Sequence, residues 1–259
     1  MRLDSGMTPS PTVAYDANGN TLSDPQGRSF TWDFENRLVQ ATNPSVGTTT
    51  FRYDPFGRRI QKSGPSGTTN YLYDGENVSE ELDSSGNVLA RYSYGPRTDE
   101  PLSELRSGTT SYYAQDAVAT ITSLSNATGA LANTYTYDSF GNLTASTGTL
   151  ANPFRYTGRE LDSETGVYLY RARYYDANLG RFVSEDPVGF NSGTVNFYDY
   201  VGNSPLNFND PTGHEACCQK NIDIGRTELI NALNNSQIMG KGVFKKYKKC
   251  LLRFPEMQI

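Results

Sequence analysis

The first 213 residues contain no cysteine and no histidine. No thiolate or imidazole is available there to ligate a metal or to act as a nucleophile. Any chemistry in that stretch must rest on carboxylates, hydroxyls, arginine and lysine. Apolar residues make up only 36% of the chain, and no run is long enough to form a membrane-spanning helix. The opening residues, Met1-Arg2-Leu3-Asp4-Ser5-Gly6, lack the apolar core of a signal peptide. The net charge of -5 gives no global electrostatic case for nucleic acid. Nothing implies a metal or a cofactor.

What is abundant is tyrosine (18), glycine (24) and proline (13) among 259 residues, a mix that favours strands and turns over helices. The charge is unevenly spread. Residues 214–259 hold eight Lys/Arg against four Asp/Glu, a net +4, so the remainder holds 15 against 24, a net -9. His214, the one histidine, and Cys217, Cys218 and Cys250, the three cysteines, also lie in that tail.

The body repeats. An aromatic residue, an Asp and a turn recur as Tyr15-Asp16-Ala17-Asn18-Gly19-Asn20, Trp32-Asp33-Phe34-Glu35-Asn36-Arg37 and Tyr53-Asp54-Pro55-Phe56-Gly57-Arg58. They return as Tyr73-Asp74-Gly75, Tyr137-Asp138-Ser139-Phe140-Gly141-Asn142 and Tyr175-Asp176, with Tyr94-Gly95 a degenerate copy. The steps from Tyr15 to Tyr94 are 17, 21, 20 and 21 residues. Two strands of about five to six residues plus their turns fill roughly 20 residues, so the spacing predicts a string of antiparallel hairpins. Gly supplies positive φ, and Asp or Asn bonds its own backbone in the turn. The tyrosines are expected to pack between hairpins; a sugar-binding row is the alternative use for them.

The strings Tyr-Asp-x-x-Gly-Asn/Arg resemble the YD repeats of Rhs (rearrangement hot spot) proteins. Phe154-Arg155-Tyr156-Thr157-Gly158-Arg159-Glu160-Leu161-Asp162, then Gly166 to Asp176, Gly180 to Pro187 and Asn196 to Leu206, look like the Rhs repeat-associated core. The resemblance covers residues 14–213 and includes Tc-toxin C components and polymorphic toxins. It implies an all-β fold, in which hairpins build part of a strand-spiral shell around a C-terminal toxin. Residues 1–213 would be the closing end of such a shell. The expected organisation is a disordered 1–13, hairpins over 14–150, the core over 151–213, and a variable, partly helical cargo tail over 214–259.

Two Asp-Pro-x-Gly units stand beside the change in composition: Asp186-Pro187-Val188-Gly189 and Asp210-Pro211-Thr212-Gly213. Two carboxylates brought close cannot both ionise cheaply, so the pair can serve as general base and general acid. The chain itself is the expected substrate, since an intramolecular bond has a large effective concentration. A single copy would read as a turn, with Pro at the second position and Asp bonding the backbone. The resemblance implies that Asp186 and Asp210 are the aspartates of a self-cleaving protease and that Arg173, ahead of Arg171, is their arginine. The family usually has a large apolar residue after the second motif, where this chain has His214. The expected cut is His214–Glu215, with Gly213–His214 next.

The tail is mostly bland. Cys217-Cys218 with one His makes no zinc spacing. Residues 226–239 suggest one short amphipathic helix, and Lys245-Lys246-Tyr247-Lys248-Lys249 is a basic run that could touch phosphate. The leading expectation is therefore the end of a bacterial toxin that cleaves and releases its own tail as cargo. It would leave the cell through a specialised system, with a secretion or Tc shell partner and an immunity protein. The competing class is a structural or adhesive repeat protein, with carbohydrate binding as one use for it, without proteolysis.

Overall fold

The computed structural model describes residues 13–192 and 194–214. The sequence expectations for residues 1–12 and for the tail from Glu215 onward lie outside the described residues. Fourteen strands, from Ala14–Tyr15 to Leu143–Thr147, form one antiparallel sheet in strict sequence order. A second sheet has four strands, Glu160–Asp162, Val167–Tyr170, Arg173–Asp176 and Arg181–Phe182, also in order. The fold is all-β, as the hairpin spacing implied.

The repeat is a turn with its own locking chemistry. In Tyr53-Asp54-Pro55-Phe56-Gly57-Arg58, Asp54 Oδ1 accepts the backbone N–H groups of Phe56 and Arg58, each at 2.9 Å. Its other oxygen accepts Arg58 Nε at 2.7 Å. Where the fifth residue is Asn, the amide substitutes: Asn142 Nδ2 donates to Asp138 Oδ2 at 2.7 Å. The fourth residue carries the positive φ, 82° at Gly57 and 59° at Asn36, which explains the Asn variant of the second repeat. The same lock closes at Asp24, Asp83 and Asp116, which no tyrosine precedes. The aspartate defines the turn better than the tyrosine does. Tyr73-Asp74-Gly75 belongs to a tighter hairpin, with Asp74 paired opposite Asn77.

The repeat tyrosines bridge hairpins. Tyr53 donates to the Leu38 carbonyl at 2.6 Å, Tyr73 to Arg59 at 2.8 Å and Tyr94 to Val78 at 3.0 Å. Each ring therefore packs while its hydroxyl ties down the previous hairpin, which favours packing over a sugar-binding row.

A register shift recurs next to these turns, at Thr31/Trp32, Arg52/Tyr53, Leu72/Tyr73 and Thr136/Tyr137. Bulges raise local twist, and repeated on the same side of successive hairpins they curl a sheet. Both ends of the long sheet accordingly reach the short one. Thr21 N–H donates to the Val183 carbonyl at 2.9 Å, and Tyr175 Oη donates to the Phe140 carbonyl at 2.8 Å. The long sheet wraps the short one.

This explains an unusual burial pattern. Val167–Tyr170 and Arg173–Asp176 are buried at every position, where a half-exposed strand would alternate. One face packs with Phe30, Leu38 and Phe51 of the long sheet through Val167, Leu169 and Tyr174. The other joins Tyr156, Phe182 and Tyr200 through Tyr168, Tyr170 and Tyr175. Buried ion pairs cross between the sheets: Arg28 with Asp176 and Arg59 with Asp162. At the start of the long sheet, Tyr15 packs on Tyr198 at 5.5 Å and takes the Arg181 guanidinium at 5.5 Å from its ring centre.

Candidate active site

Arg173 sits in the Arg173–Asp176 strand of the wrapped sheet, and both Asp-Pro-x-Gly turns fold against it. Its Nη2 lies 3.3 Å from Asp186 Oδ2 and 3.3 Å from Asp210 Oδ2. All three residues are nearly inaccessible, at 3%, 6% and 2% exposure. The guanidinium stacks on Phe182 with 3.6 Å from its carbon to the ring centre. Nη1 donates to the Phe197 carbonyl at 3.1 Å, and Nε donates to the Gly213 carbonyl. Burial lowers the Arg173 pKa from its usual value, while the charges of Asp210 and Asp186 oppose that fall. One cation thus holds both aspartates and the backbone at the end of the second motif.

Each aspartate divides its oxygens between two tasks. Asp186 Oδ1 accepts the Val188 N–H at 3.0 Å. Asp210 Oδ1 accepts Gly213 N–H at 2.9 Å and His214 N–H at 3.1 Å. These are the turn contacts of an isolated motif. The Oδ2 atoms are turned instead to the shared guanidinium. The turn contacts and the contact with the shared guanidinium therefore fall on different oxygens.

Gly213 is required by space as well as by its φ of 75°. A Cβ there would lie 2.1 Å from the Tyr170 carbonyl oxygen and 3.2 Å from the backbone nitrogens of Ala172 and Arg173. The segment entering His214 is pressed onto the wrapped sheet. The His214 Nδ1 lies 3.7 Å from Asp186 Oδ1, so the residue at the expected cut touches the same carboxyl group.

Arg171 does not join the two aspartates. Its Nη1 donates to the Pro211 carbonyl at 3.0 Å and its Nη2 to Asp99 Oδ1 at 3.2 Å. Arg159, which the sequence reading placed only in the core motif, also donates to the Pro211 carbonyl and to Asp99.

Beside His214 opens a cavity of about 430 Å³. Its walls include Trp32, Tyr53, Tyr73 and Tyr94 from successive repeats, together with Glu160, Thr212 and His214. Burial raises the Glu160 carboxyl above its usual range, with Arg59 opposing. Glu160 keeps some accessible surface, but that surface faces this cavity.

The family model of the teneurin YD-shell matches residues 7–206. This chain belongs to the YD-shell family. The YD-shell chain is 37% identical over 213 residues to the tRNA3(Ser)-specific nuclease WapA of Bacillus spizizenii, covering 78% of itself and 9% of that protein. It is 30% identical over 208 residues to the probable deoxyribonuclease RhsA of Dickeya dadantii, covering 74% of itself and 14% of that protein. It therefore spans about a tenth of the length of these relatives. The crystal structure of TcdB2-TccC3-Cdc42 superposes with a TM-score of 0.65 at 21% identity, over 77% of this chain and 11% of that one. A Photorhabdus luminescens Tc holotoxin pore gives 0.60 at 20%, over 80% and 11%. At such identities these structures show a shared fold, and the Rhs/YD-repeat resemblance of the sequence stands. No helix among the described residues is long and apolar enough to cross a membrane.

Proposed function

We propose that this YD-shell segment is a self-cleaving module that frees the chain beyond His214. The observation that carries the reading is the convergence on Arg173. Two aspartates 24 residues apart contact one guanidinium nitrogen, and the same side chain holds the carbonyl of the residue that ends the second motif.

The chemistry is peptide hydrolysis by an aspartate dyad that shares one proton. Water adds its oxygen to the scissile carbonyl carbon and gives a proton to the ionised aspartate. The C–N bond then breaks as the other aspartate protonates the leaving nitrogen. One carboxyl group and one amine result, and the dyad again holds one proton. Arg173 orients the carboxylates and supports negative charge on oxygen as it develops.

The bond taken is His214–Glu215. The Gly213 carbonyl and the His214 N–H are already committed, to Arg173 and to the Asp210 turn. That peptide serves as the anchor on the acyl side, and the next bond is the one offered for attack. A reacting group held in this way gains an effective concentration that can reach roughly 10⁵–10⁸ M, which compensates for a site that turns over once.

The cargo reading draws on three supports. Thr212 and His214 line the cavity beside the site, so the outgoing chain starts at its wall. The composition changes there. Relatives that share this segment carry names of nucleases. We infer that the released tail is toxin cargo delivered from a bacterial cell, with shell and immunity partners as in the Rhs resemblance. Asp186→Asn and Asp210→Asn test the reading. Each should leave one full-length band on a denaturing gel where the wild type gives two; two bands in either variant would remove the dyad from the mechanism.

A further inference from the structure

The degenerate repeat has a role of its own. Where other units place Tyr-Asp-x-x-Gly-Arg/Asn, this one reads Tyr94-Gly95-Pro96-Arg97-Thr98-Asp99-Glu100, between the strands Val88–Tyr94 and Pro101–Arg106. Its turn is closed by other groups. Gly95 N–H donates to the Glu100 carbonyl at 2.9 Å, and Arg97 Nε donates to Glu100 Oε1 at 2.8 Å. Gly95 stands where the other units have their turn aspartate, and Asp99 takes the positive-φ position that Gly or Asn holds in them.

Asp99 is buried, at 4% exposure, and its φ is 58°. Asp and Asn are the non-glycine residues that adopt this conformation most readily, with a short side chain free to bond nearby. The surroundings here are two arginines distant in sequence. Asp99 Oδ2 accepts Arg159 Nη2, and Asp99 Oδ1 accepts Arg171 Nη2 at 3.2 Å. The Gly158 beside Arg159 has no room for a side chain, since a Cβ would come 2.7 Å from the Asp99 carbonyl oxygen.

Both arginines then donate to one backbone atom, the Pro211 carbonyl oxygen. Pro211 directly follows Asp210. A single carbonyl that takes two guanidiniums, in the middle of the second motif, is more than charge balance requires. Without Asp99 the two guanidiniums would face each other as like charges. Burial and the neighbouring Arg159 both lower the Arg171 pKa, and Asp99 opposes them.

We propose that Asp99 is a positioning residue for self-cleavage: through Arg159 and Arg171 it fixes the Pro211 carbonyl, and so the height at which Asp210 and the scissile bond meet the site. The inference rests on the self-cleavage reading. It adds that the shell sheet, not the core alone, sets the cut. Asp99 reaches Arg159 and Arg171 across 60 and 72 residues of chain. A core detached from its degenerate repeat would hold both aspartates but present the bond out of place.

The test is a labelled cell-free translation of the full chain, followed in time by denaturing gel and by mass of the fragments. It compares wild type, Asp210→Asn, Asp99→Asn and the double variant Asp99→Asn with Arg171→Met. The thermal midpoint of each variant is read separately, in an Asp210→Asn background that keeps the chain intact. Misplacement of about 1 Å costs on the order of 100-fold, so Asp99→Asn should cleave about 10- to 100-fold more slowly. It should also split the cut between His214–Glu215 and Gly213–His214. The double variant removes one of the facing charges, so it should recover the thermal midpoint and stay slow. Asp99→Asn cutting at the wild-type rate and at one bond overturns the inference. So does a rate that falls and returns together with the midpoint, which would make Asp99 structural only. A wild type that stays uncut, like Asp210→Asn, sinks the self-cleavage reading and this inference with it.

Discussion

Asp54 and Asp138 divide their two oxygens between the turn backbone and the fifth residue, and Asp186 and Asp210 divide theirs between the turn backbone and Arg173. In the turns, burial works to raise the carboxyls of Asp16, Asp33, Asp54 and Asp138, but hydrogen bonds from the fifth residue and the turn backbone outweigh it. At Asp83 the hydrogen bonds from Asn87 come first. All five end below the usual range. A depressed folded-state pKa contributes stability above the unfolded value, near 3.9 for Asp, and loses it as pH falls through the folded value. The thermal midpoint should therefore drop on acidification below about pH 4, and Asp54→Asn should flatten that slope. A midpoint unchanged between about pH 5 and pH 2.5 would contradict this. Gly213→Ala tests the site at the same scale. With a Cβ 2.1 Å from the Tyr170 carbonyl oxygen, the segment must lift, and cleavage should fall about 100-fold while the circular dichroism spectrum stays β. Cleavage at the wild-type rate would show that the tight seat of Gly213 is unnecessary.

The hairpin was legible from spacing alone, because Asp at the first turn position, Gly or Asn at the fourth, and Arg or Asn at the fifth form a local code. Asp24 and Asp83 carry the same code without a tyrosine before it, whereas Asp116 makes the backbone contacts with Ala119 and Thr120 at the fourth and fifth positions, outside the code. The wrapped sheet was less legible. One of its strands reads Arg173-Tyr174-Tyr175-Asp176, charged at both ends, yet Arg173 and Asp176 are buried because distant partners neutralise them. No local pattern announces a partner more than 100 residues away. The buried pair Arg59–Asp162 joins the two sheets in this way, with Lys62 at 3.3 Å as the remaining cation. Arg59→Ala would leave Asp162 buried with weaker compensation. Loss of about 3–5 kcal/mol in denaturant unfolding is expected. A loss below about 1 kcal/mol would mean that Lys62 suffices.

At the scale of the molecule, a curled sheet of hairpins holds a second sheet, and that second sheet holds the second Asp-Pro-x-Gly turn. Arg173 was implied only by the Rhs resemblance, whereas the aspartates could be picked out of the sequence because two copies of one motif stand beside a change in composition. Their shared contact with a single nitrogen could not be, because it depends on how both turns fold over one buried strand. Self-cleavage by this arrangement, as proposed, has a direct readout. The most direct measurement is the intact mass of freshly purified wild-type protein under denaturing conditions, with the N-terminus of any new fragment. Two species, the smaller beginning at Glu215, is the predicted result. A single full-length species would contradict the account and leave a repeat protein whose aspartates only shape turns.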